Sequence, residues 1–488
     1  TKQLLGEDGC AAIILPVSIL SNSGALSEKT RDILLKNFYI KAISNHSGGN
    51  TFMATDVKTI IVFLKKRPQT EIAIAEKTAK DFIINHSDFS YNGKPDVIKK
   101  YVSEAFDNIS FEDYIQLLEN NPSREMLESD FYIDFEKLVK KTKEYKDLKK
   151  NKKLDKNSFK VEYDRIKIKL LEQLEFEKIT YYLLIFASKT ILIKTGEKQA
   201  EKDFLGYEFA TRRRYEGIHP YTDENGCIIS KLYDEEDLNS NPEKVNYYIH
   251  SAFLDEYPEV DNTLRDNVIV VNTSSMFNFK EADFENRIYI SPREFILTSQ
   301  YKQTKLDRIV KMPIVRGKST QYGSSAVQVI KSGQIRGEYE FDFTEKYYAA
   351  DSFVSDDRNL QKGDILINST GVGTAGRVTL FNLDGDFVVD SHITIVRLNQ
   401  EKALPKYVLY ALANIGFKNI EAMAMGQSGQ IELALSTINS IRIPLPDIKT
   451  QKYIISEIEE IEKKMNLLKR EISEIEEQKN KILENHLK

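Results

Sequence analysis

The stretch LQKGDILINSTGVGTAGR, Leu360–Arg377, decides how this chain is read. Asp364 to Asn368 is an apolar run of strand length, and it passes directly into a loop of serine, threonine and glycine. Such a loop could cradle a phosphate, but no P-loop lysine follows and no helix pattern starts after it. A second loop, GQSGQ at Gly426–Gln430, leads through IELALSTINS to a strand that ends in Pro444-Leu445-Pro446. A long helix pattern then leaves the domain.

Working outward, strand-like runs recur at Ala326–Ile330, Asp364–Asn368, Arg377–Phe381 and His392–Leu398, with one helix, Pro405–Ile415, among them. Turn signals such as SGQIRG and LDGD separate them, so residues 301–450 read as an α+β domain. In residues 451–488, Ile454, Ile458, Ile461, Met465, Leu468, Ile472, Ile475 and Ile482 keep spacings of four and three, with Lys479 breaking one position. Glu and Lys fill the rest, the pattern of a coiled-coil seam. Isolated in water, such a helix exposes its apolar stripe, so it predicts a partner: a second copy or another subunit.

The rest of the chain divides by composition. Residues 1–67 read as α/β, with Ala11–Pro16 as a buried strand of a parallel sheet. There Ser27–Asn37 reads as a helix capped by Ser27, and Ile40–Ile43 and Val57–Leu64 as further strands. Residues 68–200 are helical and charged, ending in a long apolar helix over Leu170–Ile193. Residues 201–300 are a mixed connecting region in which NVIVVNTSSMF, Asn267–Phe277, reads as one strand. The opening TKQLLGEDGCAAIILPV has no initiator methionine and starts mid-element, as a fragment would.

At 488 residues the chain is long enough for two to four domains. No apolar run reaches the roughly 20 residues that span a bilayer. Cys10 and Cys227 are too few for a disulfide framework or zinc site, and they suit a reducing cytoplasm. The formal net charge is −5, yet Glu136–Lys169 holds 14 Lys/Arg against 6 Asp/Glu. That segment is either a solvated helix pair or a face for phosphates. The sequence carries no HExxH, P-loop, GxSxG or CxxC motif, and no metal site is expected.

Lys305–Gln451 resembles a target-recognition domain of the specificity subunits of type I restriction-modification systems. The resemblance rests on six segments in order: IVKMPIVRGKS, LQKGDILINSTGVGTAGRV, VVDSHITIVRL, YVLYALAN, GQSGQIELAL and IRIPLPDIKTQ. Residues 3–66, through LLGEDGCAAIILPVSILSNSG, TRDILLKNFYIKAI and NTFMATDVKTIIVFLKK, are similar to the last third of an adenine-N6 DNA methyltransferase catalytic domain. FLGYEFATRRRYEGI, Phe204–Ile218, resembles the helical region that follows that domain in long fused methyltransferases of type IIG and related systems. The expected fold is therefore a methyltransferase α/β remnant, a helical region, an α+β recognition domain and a coiled-coil helix.

The resemblance implies double-stranded DNA as partner, and S-adenosylmethionine as cofactor of a full-length parent enzyme. This sequence itself lacks the family's Asn/Asp-Pro-Pro-aromatic motif and its Gly-rich cofactor turn. These 488 residues alone are thus expected not to methylate. The resemblance places the family's base-stacking aromatic at Phe52, since an enzyme that flips a base needs a flat apolar surface to hold it. A core phenylalanine beside the next strand is the plainer reading.

By chemistry and loop placement, the candidate DNA contacts are Arg316, Lys318, Thr320, Gln321 and Tyr322, with Arg336, Ser369, Thr370, Thr374, His392, Gln427, Ser428 and Gln430. Arginine and lysine suit guanine or phosphate, glutamine suits adenine, and hydroxyls suit either. Ordinary turn geometry is the competing account of the glycine loops. Two further readings differ in class: a free-standing type I-like specificity protein without catalysis, and a coiled-coil scaffold that binds no DNA.

Overall fold

The computed structural model describes residues 3–22, 24–46, 59–151, 154–196, 199–210, 212–234, 236–290, 299–319, 321–371, 373–427 and 430–487. The chain forms two compact units, Thr1–Ile290 and Ser291–Lys488.

In the first unit the elements run β1 (Cys10–Pro16), α1 (Ala25–Asn37), β2 (Phe38–His46), β3 (Thr59–Lys66), α2 (Gln69–Asn85), α3 (Val97–Ala105) and α4 (Phe111–Leu118). Next come α5 (Arg124–Leu127), α6 (Asp130–Lys141), α7 (Lys143–Lys150) and α8 (Lys156–Ile185). β4 (Lys189–Lys194), α9 (Gln199–Leu205), β5 (Tyr207–Ala210), β6 (Gly217–Pro220), α10 (Val245–Phe253) and β7 (Val268–Asn272) complete it. Five strands make one sheet in the order β1-β3-β2-β4-β7, drawing on three of the segments delimited by composition. Only β2 and β4 pair in parallel; the other neighbours are antiparallel.

Several elements differ from their sequence expectation. β1 is an antiparallel edge strand, not a buried parallel one: alternate residues face outward and Ile14 is 52% exposed. Its terminal Pro16 suits an edge. α1 starts at Ala25 behind Gly24, which places Ser27 inside the first turn rather than at the cap. The apolar run Leu170–Ile193 divides into the end of α8 and all of β4. Both halves are buried, so hydrophobicity alone does not show where the helix stops. β7 covers only Val268–Asn272, and Thr273–Met276 turns as a 3-10 helix.

The helices enclose an aromatic core that includes Phe82, Tyr101, Phe106, Tyr114, Phe131, Phe135 and Tyr182. Two buried charges sit inside it. Tyr101 and Tyr114 each donate a hydrogen bond to Glu175 Oε2 at 2.7 Å, and Lys178 Nζ lies 3.4 Å from Oε1. Lys178 also stands 4.7 Å from the Phe131 ring centroid. Burial pushes the Lys178 amine down and both phenols up. The carboxylate is thereby supplied with donors on both oxygens, which a buried charge requires. Elsewhere, buried Arg31 donates to the carbonyls of Ile19, Asn22 and Glu285 and to Asn286 Oδ1, at 2.8–3.0 Å. It ties the end of this unit to its beginning.

The basic segment forms the end of α6, α7 and the start of α8. Part of its charge is matched locally: Lys137 with Asp134 at 3.1 Å, Lys150 with Asp147 at 3.6 Å, and Lys167 with Glu136 at 3.4 Å.

The second unit begins with β8 (Gln303–Lys305), β9 (Val315–Arg316), β10 (Gln328–Ile330), β11 (Ile335–Gly337), β12 (Glu340–Phe341) and β13 (Tyr347–Tyr348). It continues through β14 (Ile365–Asn368), β15 (Val378–Leu380), β16 (Phe387–Val389), β17 (Ile393–Val396), α11 (Pro405–Ile415) and α12 (Phe417–Ala422). β18 (Met425–Gln427), β19 (Gln430–Glu432), α13 (Leu435–Ser440), β20 (Arg442–Pro444) and α14 (Ile448–Leu487) close it. The central sheet is antiparallel, in the order β15-β14-β17-β9. α11 packs Tyr407, Val408 and Leu412 into the core shared with that sheet. Beside it stands the small sheet β13-β10-β16.

α14 is one helix of 40 residues, about 60 Å at ~1.5 Å per residue. Its first turns belong to the domain. Fully buried Gln451 donates to the carbonyls of Lys402 and Pro446 and accepts from Leu404 N at 2.8 Å. Ile454 packs on the domain core with Ile455, so it leaves the free seam to which the heptad pattern assigned it. Ile458 is half-buried. Lys406 pairs with Glu459, and Tyr410 donates to Glu462 at 3.0 Å. From Ile461 onward the stripe is bare: Ile461, Met465, Leu468, Ile472, Ile475 and Ile482 are all more than half exposed.

Candidate nucleic-acid interface

The antiparallel order of the central sheet brings four chain crossings to one end. There β14 finishes, β15 and β17 begin, and β9 finishes. The loops at that end are 317–323, 369–377 and 390–392, and the β18–β19 hairpin joins them through a bridge between Thr370 and Glu432. Gly371 N donates to Ile431 O at 3.1 Å and Leu433 N to Ser369 O at 2.7 Å. Sequence segments far apart thus form one surface.

Two polar clamps fix the β14–β17 pair. At the base, Asp364 is 1% exposed and takes a forked contact from Arg397, with Nε to Oδ1 and Nη2 to Oδ2 both at 2.8 Å. Arg397 also donates to the carbonyls of Asp357 at 3.0 Å and Asn359 at 2.7 Å. Buried ions are tolerated when geometry is this complete. At the loop end, the Ser369 and Thr394 hydroxyls bond at 2.5 Å, both fully buried.

Close backbone approach explains two glycines. A Cβ on Gly317 would lie 2.2 Å from the carbonyl oxygens of Val389 and Asp390. Gly376 has φ +86°, and a Cβ there would meet Phe417 O at 2.7 Å and Glu421 N at 2.8 Å. Here turn geometry and site geometry are one requirement: the loop reaches its position only by passing against the backbone of α12.

The candidate residues divide by what they touch. Ser369 is fully buried and bonded inward, which removes it from the set able to meet DNA. Arg316 is committed to the hairpin, with Nη1 2.5 Å from Glu432 Oε1 and Nη2 donating to Leu433 O at 2.7 Å. It positions the β18–β19 arm rather than pointing free. Arg336 pairs with Asp342 at 2.6 Å but is half exposed, a surface contact that is easily exchanged. Thr374 bonds back to Thr370 O at 2.9 Å. Thr370 Oγ1 and exposed His392 Nδ1 meet at 2.8 Å on the surface. Lys318, Gln321 and Tyr322 are exposed on the 317–323 loop. The backbone of Gln427 and Gln430 lies in the hairpin. Phe52, Thr320 and Ser428 lie outside the described residues.

Three features escaped sequence reading. Lys331 Nζ stands 3.5 Å from the Tyr347 ring centroid and 4.7 Å from that of Tyr322, which is 54% exposed. Asp390 accepts from His392 N at 2.9 Å, and burial pushes its carboxyl above the usual range. Arg377, inside the quoted stretch, donates to Gly373 O at 2.8 Å and faces the Phe417 ring at 5.9 Å. None has a pattern of its own; each is set by partners distant in sequence.

The first unit's sheet is largely antiparallel, with β2 and β4 its one parallel pair. No group of His, Cys, Asp and Glu among the described residues could hold a metal. No helix among them is long and apolar enough to cross a membrane.

Family comparison gives the class. Residues 310–477 match the type I restriction modification DNA specificity domain, and residues 2–167 match the N-6 DNA methylase family. Two separate segments of the chain are thus each similar to a restriction-modification family, the first to the N-6 DNA methylases and the second to the specificity domain. The methylase match runs well beyond residue 66, into α8.

Among solved structures, the chain aligns with a protein from a study of assembly and conformational transition in a type I R-M system. That alignment has 17% identity over 38% of this chain and 44% of the other, with a TM-score of 0.30. The HsdS subunit from Thermoanaerobacter tengcongensis aligns at 16% identity over 36% and 40%, TM-score 0.27. The type IIG restriction endonuclease BpuSI aligns at 9% identity over 94% and 43%, TM-score 0.25. The chain spans 44% of the first of these. No curated protein matches it.

The base clamp yields a stability test. Arg397→Ala strands a buried carboxylate and is expected to cost about 3–5 kcal/mol in urea unfolding of the second unit. Asp364→Ala/Arg397→Ala should cost clearly less than the two single changes summed. Additive costs would show that the pair is not coupled.

Proposed function

We propose that this chain recognises a specific duplex sequence in a restriction-modification system and directs adenine-N6 methylation to it. The observation that carries this is the single surface built from loops 317–323, 369–377 and 390–392 with the β18–β19 hairpin. Those loops fall within the specificity-domain match. The contacts to DNA are assigned to Lys318, Gln321, Tyr322, Thr370, Thr374 and His392, together with Gln427, Ser428 and Gln430. Glutamine and histidine address base edges, whereas Lys318 and Lys331 address phosphates. Arg316 holds the hairpin at the height of the loops, and Arg336 exchanges Asp342 for phosphate.

Methyl transfer belongs to a methylase core that carries S-adenosylmethionine and the Asn/Asp-Pro-Pro-aromatic motif. Neither motif stands in these 488 residues, and no step of transfer is assigned to them. The methylase match over residues 2–167 supports a tie to such a core over a specificity protein with no catalytic relation. Phe52 would stack on the flipped adenine. A cytoplasmic setting follows from genomic DNA as substrate.

The bare stripe of α14 calls for a second long helix, and we assign that place to a second copy of the chain. Apolar stripes of this length are covered in solution.

Two measurements follow. Selection from a randomised duplex pool by the purified chain should enrich one short sequence, which holds at salt concentrations that release random duplex. A pool that stays unenriched would overturn sequence recognition. In sedimentation equilibrium the chain should be dimeric or larger, and Leu468→Glu/Ile472→Glu should make it monomeric with its helix content kept. A monomeric wild type at high concentration would contradict self-pairing.

A further inference from the structure

We propose that the β5–β6 hairpin of the first unit is a separate contact with the phosphate backbone of duplex DNA, made by Arg212, Arg213 and Arg214. The inference rests on the DNA-binding reading above but concerns a different unit and a different chemistry.

The hairpin is a short ribbon, with Tyr207 opposite Pro220 and Ala210 opposite Gly217. Its base is fixed. Phe204, just before β5, is buried in the core beneath α10 and accepts from Lys231 N at 3.0 Å. Tyr221 N donates to Gly206 O at 2.8 Å. Nearer the tip, the Tyr215 and His219 rings stack at 3.8 Å with planes 2° apart, and a His219 nitrogen lies 3.1 Å from Tyr215 O. The ribbon is therefore braced up to its turn.

At that turn stand the three arginines, all exposed. None of their guanidinium groups has an ion pair or hydrogen bond among the described residues. Lower on the ribbon the charge is already spent: Lys202 holds Glu208 at 2.5 Å. Arg214 has φ +71°, a conformation that a turn ordinarily gives to glycine or asparagine. The chain places an arginine where its backbone is disfavoured, and among the described residues no ion pair or side-chain hydrogen bond of Arg214 compensates it.

Three adjacent guanidinium groups, unpaired among the described residues and carried at the end of a braced ribbon, match a row of phosphates. Each can fork two oxygens, and no base need be read. Phosphate contacts position a protein on duplex without specifying sequence.

The test uses the whole chain and a fluorescent duplex of mixed sequence, titrated over a range of salt. Each lost phosphate contact lowers the slope of log affinity against log salt by about 0.9. Arg212→Ala/Arg213→Ala/Arg214→Ala should therefore reduce the slope by roughly 2–3, while the triple Lys variant keeps most of it. Unfolding midpoints should match wild type, because the three guanidinium groups make no ion pair or hydrogen bond among the described residues. An unchanged slope in the Ala variant, with wild-type binding intact, would overturn the hairpin contact and leave sequence recognition standing. A wild type that binds no duplex would overturn both. Loss of binding to an acidic peptide but not to duplex would assign the arginines to a protein partner and overturn the proposal.

Discussion

The forked contact between Asp364 and Arg397 is the constraint on which the recognition surface depends. It locks the base of the β14–β17 pair, while Ser369 and Thr394 lock the other end. A strand pair held at both ends cannot slip by one residue, and a slip would turn every side chain to the opposite face. The loops that leave those strands inherit that fixed register. Gly376 and Gly317 then let two of them pass against neighbouring backbone. Position is supplied by buried charge and close packing; chemistry is supplied by residues exposed at the loop surface.

The same division holds across the molecule. Glu175 and Lys178 are buried and paired with each other, and with Tyr101 and Tyr114 they organise an aromatic core. The groups suited to DNA sit at loop tips and hairpin turns. A formal net charge of −5 is compatible with this, because phosphate attraction is local and screened over about 8–10 Å. The Lys331 amine between two tyrosine rings adds a further cation to the second unit.

Much of the second unit was legible in the sequence. β14, β15 and α11 fall on apolar runs bounded by glycine or proline, and β17 on one bounded by polar residues. Strands of two or three residues, such as β9, β12 and β13, were not legible, because their pairing partners define them. The α8–β4 boundary was hidden because both elements are apolar and buried. Ser369 looked like a loop hydroxyl, but it continues the alternation of β14 and turns inward. Ile454 carried the heptad spacing, yet the helix is already seated on its own domain at that point. Residue type and spacing announce what a side chain can do; only the tertiary partners decide whether it is free to do it.

Hydrogen exchange of the whole chain, with and without the duplex it selects, tests the central claim most directly. The account predicts added amide protection at 317–323, 369–377, 390–392 and the β18–β19 hairpin. The turns at the opposite end of the central sheet, 382–386 and 399–403, should exchange as before. Protection confined to those opposite turns, with the first group unchanged, would contradict it.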